Sequence, residues 1–161
     1  MINRKKMLII SILIIVLVVI ISSIIFNNKL VKEYDIEKSK NLILEKYPEL
    51  NLRELDYIDV SMYFGIDLNE IPSSLFLTDF YESEENTVFN PNNLIIIINS
   101  KNIDNYYNTF RGYLDINKDN LENTEDIKKF ENAILKKKKN KLYLVLGNKQ
   151  EEIEKIIKDN D

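Results

Sequence analysis

The chain contains no cysteine, no histidine and no tryptophan, and only three glycines in 161 residues. Without cysteine there is no disulfide, no thiolate metal ligand and no cysteine nucleophile. The lack of cysteine does not select a compartment, because such a chain suits either side of a bacterial membrane. The lack of histidine removes the commonest general base, the commonest metal ligand and the usual switch near neutral pH. Gly65, Gly112 and Gly147 stand far apart, which excludes a glycine-rich phosphate loop.

What the chain does have is a long greasy run near its start. Residues 7–26 read MLIISILIIVLVVIISSIIF, with Ser11, Ser22 and Ser23 as the only polar positions and no charge. As a helix this run spans about 30 Å of hydrocarbon and satisfies its own backbone, as lipid requires. A buried core helix rarely stays uncharged over such a length. A cleaved leader is the stronger rival, but leader apolar regions usually run about 7–15 residues and end at small side chains. Here the best site follows Ser23, with Ile21 two positions before it, and no cysteine is present for lipid attachment. Retention as an anchor is the expectation.

The flanks orient that anchor. Arg4, Lys5 and Lys6 precede it, whereas Lys29 and Lys32 are offset by Glu33 and Asp35. The basic excess keeps the N-terminus inside. The expected order is a cytoplasmic tail at 1–6, a transmembrane helix at 7–26, a juxtamembrane linker at 27–34 and an extracytoplasmic domain at 35–161. The lipid bilayer is then the partner of residues 7–26, and the chain is a single-pass protein of the cell membrane. Beyond residue 26 lie 19 basic and 26 acidic residues, a charge of −7. Such a surface repels nucleic acid, which is not expected as a partner.

The outer part reads as α+β. Residues 35–47 are helical, with Ile36, Ser39 or Lys40, Ile43 and Tyr47 on one side and Pro48 as the stop. Residues 52–64 read as a loop and a short helix capped by Gly65, and residues 67–70 as a capped turn before Pro72. Strand signals follow at 75–81 and 94–98; the second, Leu-Ile-Ile-Ile-Ile, looks buried on both sides. Residues 82–93 read as a hairpin loop, 102–114 as a helix and 124–130 as a helical turn. Strands at 133–137 and 142–146 flank a Lys/Asn turn, and a helix at 151–158 buries Ile153, Ile156 and Ile157. Two strand–strand–helix units predict an antiparallel four-stranded sheet with helices on one face.

Tyr63-Phe-Gly65-Ile-Asp67, the strand at 94–98, Glu131-Asn-Ala-Ile134 and Tyr143-Leu-Val-Leu146 follow a membrane anchor in that order. In this the chain resembles the exported bacterial domains grouped as domain of unknown function 4358. The resemblance covers roughly residues 35–158. It implies a lipoprotein or single-pass protein of low-GC Gram-positive bacteria, and it supplies no catalytic residues.

Four constellations invite a chemical reading. Asp115, Asn117, Asp119, Asn123 and Asp126 fall at positions 1, 3, 5, 9 and 12 of a calcium-loop pattern, with the Leu121 carbonyl at position 7. Asn120 replaces its glycine and Asp126 its bidentate glutamate, so a solvated connection explains the stretch more simply. Lys136, Lys137, Lys138, Lys139 and Lys141 make a basic hairpin tip. It can meet teichoic acid or lipid phosphate, or it can simply keep a strand edge from pairing, which is the plainer reading. Glu82, Glu84 and Glu85, and Glu54, Asp56 and Asp59, offer carboxylate pairs of the kind glycoside hydrolysis uses. Tyr106, Tyr107 and Phe110 are expected in the core, and Tyr113 on the outside where it can serve a partner.

The function expected from these features is a non-enzymatic, membrane-anchored binding or interaction domain. Its partner would be another envelope protein or a cell-wall polymer. No catalytic, cofactor-binding or metal residue is assigned. The alternatives are a calcium-binding domain using loop 115–126 and a wall-glycan hydrolase using paired carboxylates.

Overall fold

The computed structural model describes residues 16–18, 34–80, 89–121 and 124–160. The chain divides into two compact units, Met1–Glu33 and Tyr34–Asp161. Most of the expected span at 7–26 and of the linker at 27–34 lies outside the described residues. Residues 16–18 are helical with exposed side chains. Among the described residues no helix is long and apolar enough to cross a membrane.

The second unit is α+β, built on an antiparallel sheet. Helix α1 (Ile36–Lys46) starts at Asp35, whose carboxylate accepts from the Lys38 N–H, and ends at Tyr47 ahead of Pro48. A two-residue strand β1 (Arg53–Glu54) follows. Helix α2 (Tyr57–Phe64) is capped by the Asp56 carboxylate at its start. Gly65 closes it in the left-handed conformation, φ 64°, which glycine adopts without a Cβ penalty. Strands β2 (Ser73–Thr78) and β3 (Leu94–Asn99) then pair, followed by α3 (Ile103–Asn120) and α4 (Thr124–Glu131). A hairpin of β4 (Ile134–Lys138) and β5 (Lys141–Leu146) leads into α5 (Gln150–Asp159).

The sheet order is β1-β2-β3-β5-β4 and every pair is antiparallel. Two features depart from the sequence expectation. The sheet has five strands instead of four, because Arg53 and Glu54 add a short edge beside Thr78 and Leu77. Helices also cover both faces instead of one. The cause lies in the two central strands: Leu94–Ile98 and Leu142–Val145 are apolar on both sides, so each face needs its own cover. On one face α2, α3 and α4 enclose Phe76, Ile96, Ile98 and Leu144 with an aromatic cluster around Phe64, Phe89 and Phe110. On the other face α1 and α5 pack Ile43, Ile153 and Ile157 onto Leu75, Leu77, Ile97 and Val145.

The strands give this unit two distinct ends. At one, Ser73, Asn99 and Lys141 lie side by side; at the other, Thr78, Leu94 and Leu146 do. Six residues separate them, about 17 Å at the usual strand rise. Tyr34 belongs to the first end. Its ring lies 4.1 Å from the Lys141 ammonium and its hydroxyl donates to Ser39 at 2.7 Å. We call this the proximal end, because the N-terminal segment joins the domain there, and the opposite one distal.

Candidate functional site

Just beyond the distal strand ends stand Asp79, Asn93 and Gly147. The Asp79 carboxylate accepts from the Asn93 backbone N–H at 2.9 Å and from its side-chain amide at 2.7 Å. The Asn93 amide oxygen in turn accepts from the Asn148 N–H at 2.8 Å. Asn93 is only 5% exposed, so a buried amide is satisfied at both its donor and its acceptor. Gly147 is required by this arrangement. A Cβ there would lie 2.2 Å from the Asn92 carbonyl oxygen, and φ is 107°.

These residues floor a cleft of about 760 Å³, walled by Asp126, Lys129 and Asn132 around α4 and by Glu152 from the first turn of α5. Lys129 is its most constrained cation. Its ammonium donates to the Pro91 carbonyl at 3.0 Å, lies 3.8 Å from Asp126 and sits 5.2 Å from the centre of the Phe130 ring. Burial pushes the Lys129 pKa down, while Asp126 and Asp79 pull it back up. The lining alternates carboxylate, carboxamide and ammonium groups. It suits a ligand rich in hydroxyls or amides, held by hydrogen bonds in both directions. Among the described residues no serine, threonine or tyrosine lines it, so it brings no hydroxyl nucleophile beside a base.

Sequence reasoning missed this cleft. Asp79, Asn93 and Lys129 carry no motif and meet only when three strand ends and α4 converge. One signal was readable: a lone glycine directly after a buried apolar strand marks a close backbone approach.

The residues singled out from sequence are placed elsewhere. The calcium pattern is overturned as a loop, because Asp115, Asn117 and Asp119 belong to α3. At about 100° per helical residue, Asn117 projects away from the side shared by Asp115 and Asp119. The Asn117 amide donates to the Tyr113 carbonyl at 2.8 Å, and Asp115 accepts from Arg111 at 3.2 Å. Asp126 starts a separate helix. Among the described residues no group of three acidic side chains gathers to hold a metal ion.

The carboxylates considered for hydrolysis are occupied structurally. Glu54 pairs with Lys40, Asp56 caps α2 and Asp59 pairs with Arg53 at 2.9 Å. Glu82, Glu84 and Glu85 lie outside the described residues. Tyr113 differs from expectation. It turns inward, 5.4 Å from Phe64 and 6.1 Å from Phe130, and its hydroxyl is buried without a partner among the described residues. Burial pushes its pKa up.

The lysine hairpin forms as expected, with Lys139 in the turn at φ 54°. Part of it clamps Glu154 of α5. That carboxylate accepts from Lys136 at 2.7 Å, from the Tyr143 hydroxyl at 2.8 Å and from Lys158 at 2.9 Å. Burial alone would raise the Glu154 pKa, but these three donors overcome it and hold the carboxyl at about 2. Lys137 pairs with Asp104 and lies 4.9 Å from the Tyr107 ring.

Comparison with protein-family models, with curated proteins and with solved structures found no match.

Proposed function

We propose that this chain is a single-pass membrane protein whose Tyr34–Asp161 unit is an extracytoplasmic binding module without a catalytic role. Residues 7–26 hold it in the bilayer with the N-terminus in the cytoplasm. The observation that carries this reading is the succession along the chain. An uncharged apolar run behind Arg4, Lys5 and Lys6 leads within a few residues into a domain that closes a core on both faces of its sheet.

In this reading the distal cleft is the recognition site. It lies about 17 Å along the strands from the point where the N-terminal segment joins the domain. A polar partner, either another envelope protein or a cell-wall polymer, would meet Asp79, Asn93 and Lys129. The tether raises the local concentration of the module beside such a partner.

Two measurements test the two halves. After alkaline carbonate washing, the full chain should stay with the membranes, and a chain beginning at Asn28 should not. Release of the full chain would end the tether. A photo-crosslinking side chain at Gln150, on the lip of the cleft, should give a discrete adduct in intact cells that disappears when Asn93→Ala is added. An adduct that ignores Asn93→Ala, or none at all, removes the cleft from the account.

A further inference from the structure

The charge of the Tyr34–Asp161 unit is unevenly spread. The unit carries 17 basic and 25 acidic residues, −8 in all. Yet the β4–β5 corner of its proximal end is a lysine surface. Lys138 and Lys139 flank the hairpin turn, with Lys136 and Lys137 on the strand leading into it. Lys158 lies in the last turn of α5, while Lys141 at the start of β5 is buried and gives its ammonium to the Ile157 carbonyl. Lys101 joins them, because its neighbour Ser100 donates its N–H to the carbonyl of Asn140 in the turn at 2.8 Å. These six exposed lysines sit at the β5–β4 corner of that end, where Lys137 pairs with Asp104 and Lys136 with Glu154. The distal cleft has the opposite balance, with five carboxylates and three lysines in its lining.

The positive end is also the tethered end. Tyr34 lies against Lys141, and residues 27–33 separate it from the apolar run. Seven residues reach at most about 25 Å when fully extended. The lysines are thus kept within reach of lipid headgroups, in a domain whose net charge would otherwise be repelled by an anionic surface.

We infer that the lysine end, formed by Lys101, Lys136–Lys139 and Lys158, docks on anionic phospholipid headgroups of the bilayer that holds the anchor, and so points the distal cleft outward. This rests on the tethered reading above. The chemistry is ammonium on phosphodiester, and each lysine close to such a surface is a factor of about fivefold in partition. Lys136 and Lys158 keep their bonds to Glu154, which fixes the hairpin against α5, and both side chains remain about half exposed.

The absence of cysteine makes the test clean. The full chain with Asn140→Cys, labelled with a fluorophore at the hairpin turn, is reconstituted in vesicles containing a headgroup-labelled quencher lipid. A second preparation carries Asn132→Cys at the distal end. Quenching should be strong at position 140 in phosphatidylglycerol vesicles, weak in neutral phosphatidylcholine vesicles and absent at 132. Lys101→Gln, Lys138→Gln and Lys139→Gln together spare the Glu154 clamp and should reduce docking on the order of a hundredfold. Molar salt, which shortens screening to about 3 Å, should release the unaltered chain and needs no variant to fold.

Vesicle retention after a carbonate wash separates the failures. A chain that washes off overturns both the tether and this docking. A retained chain whose quenching ignores phosphatidylglycerol, salt and the lysines overturns the docking alone. Displacement of the label by soluble polyglycerol phosphate, with equal binding of that polymer in neutral vesicles, would assign the surface to free polyphosphate and overturn the lipid commitment.

Discussion

Glu154 is the residue on which the proximal end is assembled. One carboxylate gathers donors from β4, β5 and α5, and its charge is what they bind. Its folded pKa of about 2 lies below that of an unfolded glutamate, near 4.3. Above about pH 4.3 both states are ionised and the whole contribution is present. As the pH falls from there through about 2, the unfolded chain takes up a proton that the folded domain does not, and the contribution is lost. The melting temperature of the full chain should therefore fall over that acid window. Glu154→Gln should cost about 2 kcal/mol at neutral pH and flatten the acid limb. A steep acid limb in the variant, unchanged from the parent, would mean that Glu154 does not supply it. None of this was readable from the sequence, where Glu154 is one acidic residue among 26. Lys158 is its i+4 neighbour on α5, but Tyr143 and Lys136 lie 11 and 18 positions away and meet it only through the packing of α5 on the sheet.

At the scale of elements, most of the fold was legible and the errors have physical causes. The periodicity of 35–47, 102–114 and 151–158 located α1, α3 and α5 to within a few residues, except for the end of α3. That helix runs six residues further, with Arg111 paired to Asp115 and the Asn117 amide bonded to the Tyr113 carbonyl along its surface. A string of Asp and Asn reads as a loop when only composition is weighed. Strand β1 was hidden because two charged residues give no alternation; Arg53 is placed by its bonds to the Phe80 carbonyl and Asp59. The single-face sheet was a contradiction already present in the sequence, since a strand buried on both sides at 94–98 demands two covers. Both outer strands are charged, Arg53–Glu54 on one side and Lys136–Lys138 on the other, which blunts edge pairing. The extension of α3 makes a direct prediction about calcium. Titration of the full chain with millimolar calcium should release no heat and leave the melting temperature unchanged, and Asp115→Ala should make no difference to that result. A saturable heat abolished by Asp115→Ala would restore the calcium loop and show that α3 unwinds to form it.

At the scale of the whole molecule, the Tyr34–Asp161 unit has a direction. The domain is polar along its strands, with lysines where the chain joins it and a carboxylate- and amide-rich cleft at the other end. The apolar run and its basic flank can be read directly as a continuous stretch of sequence. The cleft was not, because it is made from residues that adjoin only across strand ends. The central claim is that residues 7–26 cross the bilayer with the domain outside. The most direct measurement is protease digestion of intact protoplasts expressing the full chain, with antibodies to the N-terminal tail and to α5. The account predicts that the α5 epitope is lost while the tail epitope survives on a small membrane-bound fragment. Survival of the α5 epitope in intact protoplasts, with loss only after lysis, would contradict it.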